Sequence, residues 1–291
     1  MKDKTVIITG CTSGLGKETT IHLAKKGAKV IMACRNIDVA NTIKEKIIKE
    51  TGNSNIIIRK LDLTSLQSIR NFAELINKEV SRLDVLIHNA ALAHLKNKIS
   101  EDGLEVTMAT NHYGPFLLTH LLIDLLKKSK PSRIVIVSSV IYKLGSLNLN
   151  NPNQIDSYIP CKYYFNSKYA NLLFTLELAR RLEGTGVIAN CLHPGVTDTG
   201  IWKRIPCFLY WICKVLIIIP VGISTQEGVQ RIMYLVESEE INGLSGQYFI
   251  KYFNHLTKSS LTNMIGNPAL PKKFWEISEE LVKLQPTDPK I

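Results

Sequence analysis

The feature that most restricts what this chain can fold into lies at its start. Thr5-Val6-Ile7-Ile8-Thr9 runs directly into Gly10-Cys11-Thr12-Ser13-Gly14-Leu15-Gly16, and a helix-forming stretch follows at once. A run of Val and Ile without polar alternation reads as a strand buried on both faces. The three glycines let the chain turn sharply and bring bare backbone close to a ligand. The free N–H groups that open the next helix then attract a phosphate. Strand, glycine turn and helix in this order form the first half of a dinucleotide-binding unit, here spaced GxxxGxG. Thr12, Ser13 and Leu15 sit between the glycines and belong to the same loop.

The pattern continues along the chain. Further strands are expected at Lys29–Ala33, Ile56–Arg59, Val85–His88, Arg133–Ser138, Val187–Leu192 and Gln247–Ile250. Helices are expected at Gly14–Lys26, Asp38–Thr51, Ser65–Val80, Asp102–Lys128, Tyr164–Glu183 and Thr225–Glu237. Strand alternating with helix demands parallel strands joined by right-handed crossovers. The expected fold is therefore α/β: a Rossmann-type doubly wound parallel sheet of about seven strands, helices on both faces. No linker rich in Pro, Gly and Ser divides the chain, so residues 1–291 read as one domain. A hydrophobic share of 45% supports a full core and excludes a disordered or collagen-like chain.

One stretch departs from this rhythm. Residues 205–223 are almost wholly apolar but contain Pro206, Pro220 and a central Lys214. A lysine at mid-bilayer costs about 2.5–3.5 kcal/mol on insertion scales, which argues against a membrane span. Residues 199–223 read instead as a lid over a hydrophobic substrate; contact with a membrane surface and burial in the core stay open. Residues 252–291 read as a C-terminal extension. The apolar stripe over Thr107–Leu126 packs within the monomer or against a second copy, and the sequence leaves both open.

Six scattered cysteines show no metal or disulfide spacing, and the seven histidines show no ligand pattern, so no metal is expected. The chain opens Met1-Lys2-Asp3-Lys4 and enters a strand directly, without an apolar leader. The expectation is a cytoplasmic chain with free thiols, with peripheral contact at a membrane surface left open. The net charge of +11 reads as solvated helix faces; without aromatic-interleaved basic motifs, no nucleic acid is expected.

The second strand ends Ala33-Cys34-Arg35-Asn36, so Arg35 stands where an acidic residue would bind a ribose 2′-hydroxyl. A guanidinium there suits a 2′-phosphate instead, which favours NADP(H) over NAD(H). Three tyrosines have a lysine four residues later: Tyr158/Lys162, Tyr164/Lys168 and Tyr210/Lys214. In a helix such a pair shares one face, and the ammonium can lower the phenol's pKa. Pro160 interrupts the first pair and the third lies in the apolar stretch. Only Tyr164/Lys168 begins a long amphipathic helix. In an open parallel sheet, ligands sit beyond the strands' carboxyl ends. The glycine loop, Asn89, Ser139 and Pro194-Gly195 would gather along that one edge.

With these residues in view, the chain resembles the short-chain dehydrogenases/reductases, and their retinol dehydrogenase branch in particular, from about Lys4 to Leu284. The glycine motif TGxxxGxG matches Gly10, Gly14 and Gly16. Asp62 in Leu61-Asp62-Leu63 matches the adenine-contacting aspartate, and Leu63 goes with it. The NNAG motif appears as His88-Asn89-Ala90-Ala91, departing at its first and last positions. Asn111 in NHYGPFLLT matches the structural asparagine, and Ser139 the catalytic serine, 25 residues before Tyr164. Tyr164 and Lys168 match YxxxK. Pro194-Gly195-Val196 matches the proline-glycine segment, with Thr199 set to meet the nicotinamide carboxamide.

The resemblance implies hydride transfer between a nicotinamide and a hydrophobic alcohol or carbonyl, of retinoid, steroid or lipid-aldehyde type. It assigns Tyr164 the proton transfer and Ser139 the substrate oxygen. Lys168 would tune the phenol and hold the nicotinamide ribose, and Asn111 would hold a relay water. The rival reading is a catalytically inactive cofactor-binding sensor or scaffold of the same fold; the intact Ser139/Tyr164/Lys168/Asn111 set argues against it.

Overall fold

The computed structural model describes residues 1–93, 98–153, 161–197, 222–252 and 255–291. Its centre is one eight-stranded sheet: β1 (Thr5–Thr9), β2 (Lys29–Cys34), β3 (Ile56–Lys60), β4 (Val85–His88), β5 (Ser132–Val137), β6 (Val187–Leu192), β7 (Gln247–Tyr252) and β8 (His255–Ser260). The spatial order is β3-β2-β1-β4-β5-β6-β7-β8. Every neighbouring pair is parallel except β7 and β8. The order reverses between β1 and β4, the point where a parallel sheet opens a crevice at its carboxyl edge.

Each central strand is apolar throughout because both its faces are covered. Ile7, Ile31, Leu86, Ile134 and Ile136 enter one core; Val6, Ile8, Val30, Met32, Ile87 and Val135 enter the other. Helices α1 (Gly14–Lys25), α2 (Ile37–Thr51) and α7 (Thr225–Glu237) cover one face. The other face carries α3 (Leu66–Glu79), α5 (Gly114–Lys128), α6 (Lys162–Arg181) and α9 (Ala269–Leu281). Two short helices complete the described set, α4 (Val106–Met108) and α8 (Leu261–Ile265).

The structure corrects three expectations. The sheet has an eighth strand inside the segment read as an extension; it pairs antiparallel with β7 in register from Gln247↔Ser260 to Tyr252↔His255. The helix expected from Asp102 starts at Val106, capped by the Glu105 carboxylate, which accepts from Met108 N at 2.8 Å. Asp102 instead accepts from Leu66 N at 2.8 Å, adding an anion at the start of α3. Between α4 and α5 the chain is wound as a π-helical turn, Ala109–Tyr113. Such turns frequently mark functional sites, and this one carries Asn111.

The apolar stripe over 107–126 packs within the monomer. Trp275 of α9 meets Phe116 and His120 of α5 and Phe174 of α6, at ring distances of 4.8–5.8 Å. The Arg181 guanidinium lies 4.5 Å from the Trp275 ring centre. The last residues then strap this face: Asp288 holds Arg70 at 2.7 Å, and Ile291 O accepts from Arg181. Most of the 199–223 lid, with Cys207 and Cys213, lies outside the described residues, and Cys11, Cys34, Cys161 and Cys191 are free thiols.

Candidate active site

A cleft of about 520 Å³ opens along the carboxyl edge of the sheet. Its walls include Gly10, Thr12, Ser13, Gly14, Leu15, Gly16, Arg35, Asp62, Leu63, Asn89, Ala90, Ser139, Tyr164, Lys168, Pro194, Gly195 and Val196. These residues follow the carboxyl ends of six strands, β1 to β6, and the start of α6, so the sheet assembles them. Thr199, Tyr158 and the Tyr210/Lys214 pair lie outside the described residues.

The glycine loop is built by close approach. Gly10 adopts φ +66° and Gly14 φ +50°, conformations that favour glycine. A Cβ on Gly10 would lie 2.7 Å from Ala90 Cα, and one on Gly16 would strike Gly10 O and Asn89 Nδ2. Asn89 is the clamp: its Nδ2 donates to Thr9 O at 3.0 Å and Gly10 O at 3.2 Å. Thr9 Oγ1 completes the joint by accepting from Asn89 N and Ala90 N. Thr9 is a residue the sequence reading passed over, although it heads the glycine motif. Ser13 caps α1 without a side-chain bond, and the first turn holds no acidic residue. The leading N–H groups of α1 are therefore left to an external anion.

Arg35 is exposed on the cleft wall and enters no ion pair among the described residues. Across from it, Asp62 Oδ1 is held by Thr64 N at 2.9 Å and Thr64 Oγ1 at 2.7 Å, which fixes the carboxylate's orientation. A phosphate-ready helix start and a backbone cradle fit a dinucleotide, with the Arg35 guanidinium on the same cleft wall.

At the other end stand the chemical groups. Ser138 and Ser139 end β5 but do different things. Ser138 is buried and donates to Lys168 O at 3.1 Å, a packing role. Ser139 is half-buried, and its Oγ contacts only its own turn, accepting from Ile141 N at 3.4 Å. Helix α6 begins at Lys162, after Cys161 in a left-handed conformation (φ +62°), and presents Tyr164 and Lys168 one turn apart. Lys168 is 2% exposed, and its Nζ donates to Val137 O at 2.9 Å. The same nitrogen stands 5.5 Å from the centre of the Tyr164 ring, over the face of the ring.

Burial dominates both titrations. It pushes the Tyr164 phenol up to about 12, with the Cys161 thiol adding in the same direction, and it pulls the Lys168 ammonium down to about 8. The phenol expected to be lowered by its lysine is instead raised by desolvation, so it is protonated at neutral pH.

Asn111 lies behind the wall. Its Oδ1 accepts from Leu92 N at 2.7 Å; its Nδ2 donates to Leu92 O at 2.8 Å and Ser167 Oγ at 2.9 Å. The amide is spent on joining the 90–93 wall to α6, beside Lys168. His88, at the first position of the NNAG-like motif, is buried against α5, its Nε2 2.8 Å from Thr119 Oγ1. His193 lines the cleft while buried, and its Nδ1 has no hydrogen-bond partner among the described residues.

With this geometry in place, the comparisons decide the family. Residues 4–207 match the short chain dehydrogenase family. The chain belongs to that family. It is 41% identical to human retinol dehydrogenase 14 over 298 residues, covering 98% of this chain and 88% of that protein. A crystal structure of an uncharacterised Mycobacterium paratuberculosis protein superposes with a TM-score of 0.77 at 30% identity, over 97% of this chain and 94% of the other. The Escherichia coli short chain dehydrogenase complexed with NADPH shares the fold, with a TM-score of 0.67 at 23% identity over 85% and 96%.

Proposed function

We propose that this short-chain dehydrogenase is an NADP(H)-dependent oxidoreductase acting on a hydrophobic alcohol or carbonyl, of retinoid, steroid or lipid-aldehyde type. The observation that carries the reading is the convergence of Ser139, Tyr164 and Lys168 on one cleft with the glycine loop and Arg35. The likeness to retinol dehydrogenase 14 over nearly the whole chain supports the apolar substrate class.

The residues divide the work. The dinucleotide supplies the hydride. Gly10, Gly14, Gly16 and the start of α1 hold the diphosphate, Arg35 the 2′-phosphate, and Asp62 with Leu63 the adenine end. Pro194, Gly195, Val196 and Thr199 line the nicotinamide end. Ser139 Oγ hydrogen-bonds the substrate oxygen and fixes it against the Tyr164 hydroxyl. Tyr164 gives its proton to that oxygen as a carbonyl is reduced. Lys168 keeps a positive charge beside the phenol below about pH 8 and steadies the developing phenolate. Asn111 ties α6 to the 90–93 wall through Ser167 and Leu92, which holds the helix that carries Tyr164 in place.

A phenol held up to about 12 stays protonated at neutral pH, so the donor for reduction is fully present and the phenolate base for oxidation is scarce. Reduction therefore runs near neutral pH, whereas alcohol oxidation accelerates as pH rises. The test is a cofactor-oxidation screen by NADPH absorbance against retinal, steroid ketones and medium-chain aldehydes, with both cofactors. Turnover on an apolar carbonyl with NADPH is expected. NADPH binding without turnover across the panel would leave only a cofactor-binding fold. Arg35→Glu should raise KM for NADPH far more than KM for NADH, and equal effects would remove the 2′-phosphate assignment.

A further inference from the structure

Two cysteines meet beneath the phosphate end of the cleft. Cys11 is the second residue of the glycine loop and Cys34 ends β2, immediately before Arg35. Strands β1 and β2 pair Thr9 with Ala33, so the chain leaves the sheet at neighbouring points and brings residues 11 and 34 together. Both side chains enter one core cluster. Cys11 Sγ donates to Ala33 O at 3.7 Å, so its sulfur sits against the peptide that leads into Cys34. The two sulfurs differ in access: Cys11 is fully buried, whereas Cys34 forms part of the cleft wall.

We infer that Cys11 and Cys34 are a dithiol that peroxide converts to a disulfide, and that this bond closes the cleft to the dinucleotide. The inference rests on the dinucleotide reading of the cleft. Cys34 is the attacking sulfur, because it faces the route by which a small oxidant enters. The Cys11 thiol is spent on Ala33 O and enclosed by the core, so it stays protonated until Cys34 has reacted. Cys34 attacks one peroxide oxygen and the O–O bond breaks. The product is a sulfenic acid, and the departing hydroxide takes the proton that Cys34 lost and becomes water. The Cys11 sulfur then attacks the Cys34 sulfur, the S–O bond breaks, and hydroxide leaves with the Cys11 proton as a second water. Two thiols are oxidised and one peroxide is reduced to two waters.

The consequence for binding is geometric. Forming the bond fixes the two sulfurs about 2.0 Å apart. Cys11 is flanked by Gly10 and Thr12 of the phosphate loop, and Cys34 by Arg35. The pull therefore displaces both phosphate-binding elements at once, in a loop where Gly10 and Gly16 already leave no slack against Ala90 and Asn89.

The test uses the full chain. Reduced protein is treated with hydrogen peroxide, alkylated and digested without reductant, and NADPH affinity is measured by fluorescence before and after. The expected result is a Cys11–Cys34 linked peptide with at least about tenfold weaker NADPH binding, restored by dithiothreitol. Saturating NADPH should slow the oxidation, as reciprocal linkage requires. In C11S the reaction should stop at a Cys34 sulfenic acid that dimedone labels. In C34S the ratio of affinities before and after peroxide should stay near one. Peroxide that leaves both thiols open to alkylation overturns the inference, as does a linked peptide with unchanged NADPH affinity. A reduced protein that binds no NADPH at all overturns the dinucleotide reading itself, and the linked peptide is then scored separately.

Discussion

At Tyr164 the hydroxyl carries the proton while the ring carries the packing, and the two can be separated. Tyr164→Phe keeps a ring beneath Lys168 Nζ but removes the donor. Turnover should fall on the order of 10²–10⁴-fold, the usual worth of a placed proton donor, while fluorescence titration shows NADPH affinity close to unchanged. A variant retaining full turnover would take the proton transfer away from Tyr164. Gly16 tests the other end of the cleft. An added methyl strikes Gly10 O and Asn89 Nδ2, the atoms that lock the loop, so nothing flexible can yield. Gly16→Ala should weaken NADPH binding and cost about 1–3 kcal/mol in urea unfolding, as overpacking does. The sequence identified both positions by motif. It did not show that Lys168 stands over the ring's face, because that depends on where β5 places the Val137 carbonyl. Nor did it show that desolvation raises the Tyr164 phenol, since burial is a property of the assembled cleft.

Among the elements, α9 does the least predictable work. Helices α1, α2, α3 and α7 follow their apolar periodicity, and their boundaries fall within a residue or two of expectation. Helix α9 carries Phe274 and Trp275, both about 1% exposed, onto the face formed by α5 and α6. Trp275→Ala removes a ring that meets Phe116, His120 and Phe174 and the cation of Arg181. Loss of about 3–5 kcal/mol is expected, read as a lower urea midpoint at unchanged m-value. The variant also uncovers apolar surface on α5, so size-exclusion chromatography should show association that the parent chain lacks at equal concentration. A monodisperse variant of parental stability would mean that this helix covers nothing of consequence. The π-helical turn at Ala109–Tyr113 is the other element the sequence concealed, because apolar spacing cannot distinguish one extra residue in a buried helix from a regular run.

Across the whole molecule, four buried histidines set the acid limit. Burial pulls His88 and His112 down to about 3, and His120 and His193 down to about 4. In the unfolded chain each titrates near 6.5. Below that pH the unfolded state binds protons that the folded state refuses, so stability is complete above about pH 6.5 and is lost as pH falls toward 4. Each histidine contributes a slope of up to about 1.4 kcal/mol per pH unit in that window. Urea unfolding between pH 7.5 and 4.5, values chosen to bracket the unfolded pKa of about 6.5, should show this decline, and His88→Gln should reduce the slope by one proton. A stability that stays flat through the window would mean that these rings take up protons in the folded state. The sequence by itself determined the parallel sheet and the position of its phosphate edge, because unbroken Val and Ile runs and a glycine turn are local constraints that few other folds satisfy. Tertiary structure alone decided the eighth strand, the covering of α5 by α9 and the final residues, and the meeting of Cys11 with Cys34. Each of these depends on contacts between segments distant in the chain, whose partners no periodicity names. The shifts of Tyr164, Lys168 and the histidines come from the same source, since a side chain's solvation is fixed only when the rest of the chain has closed around it.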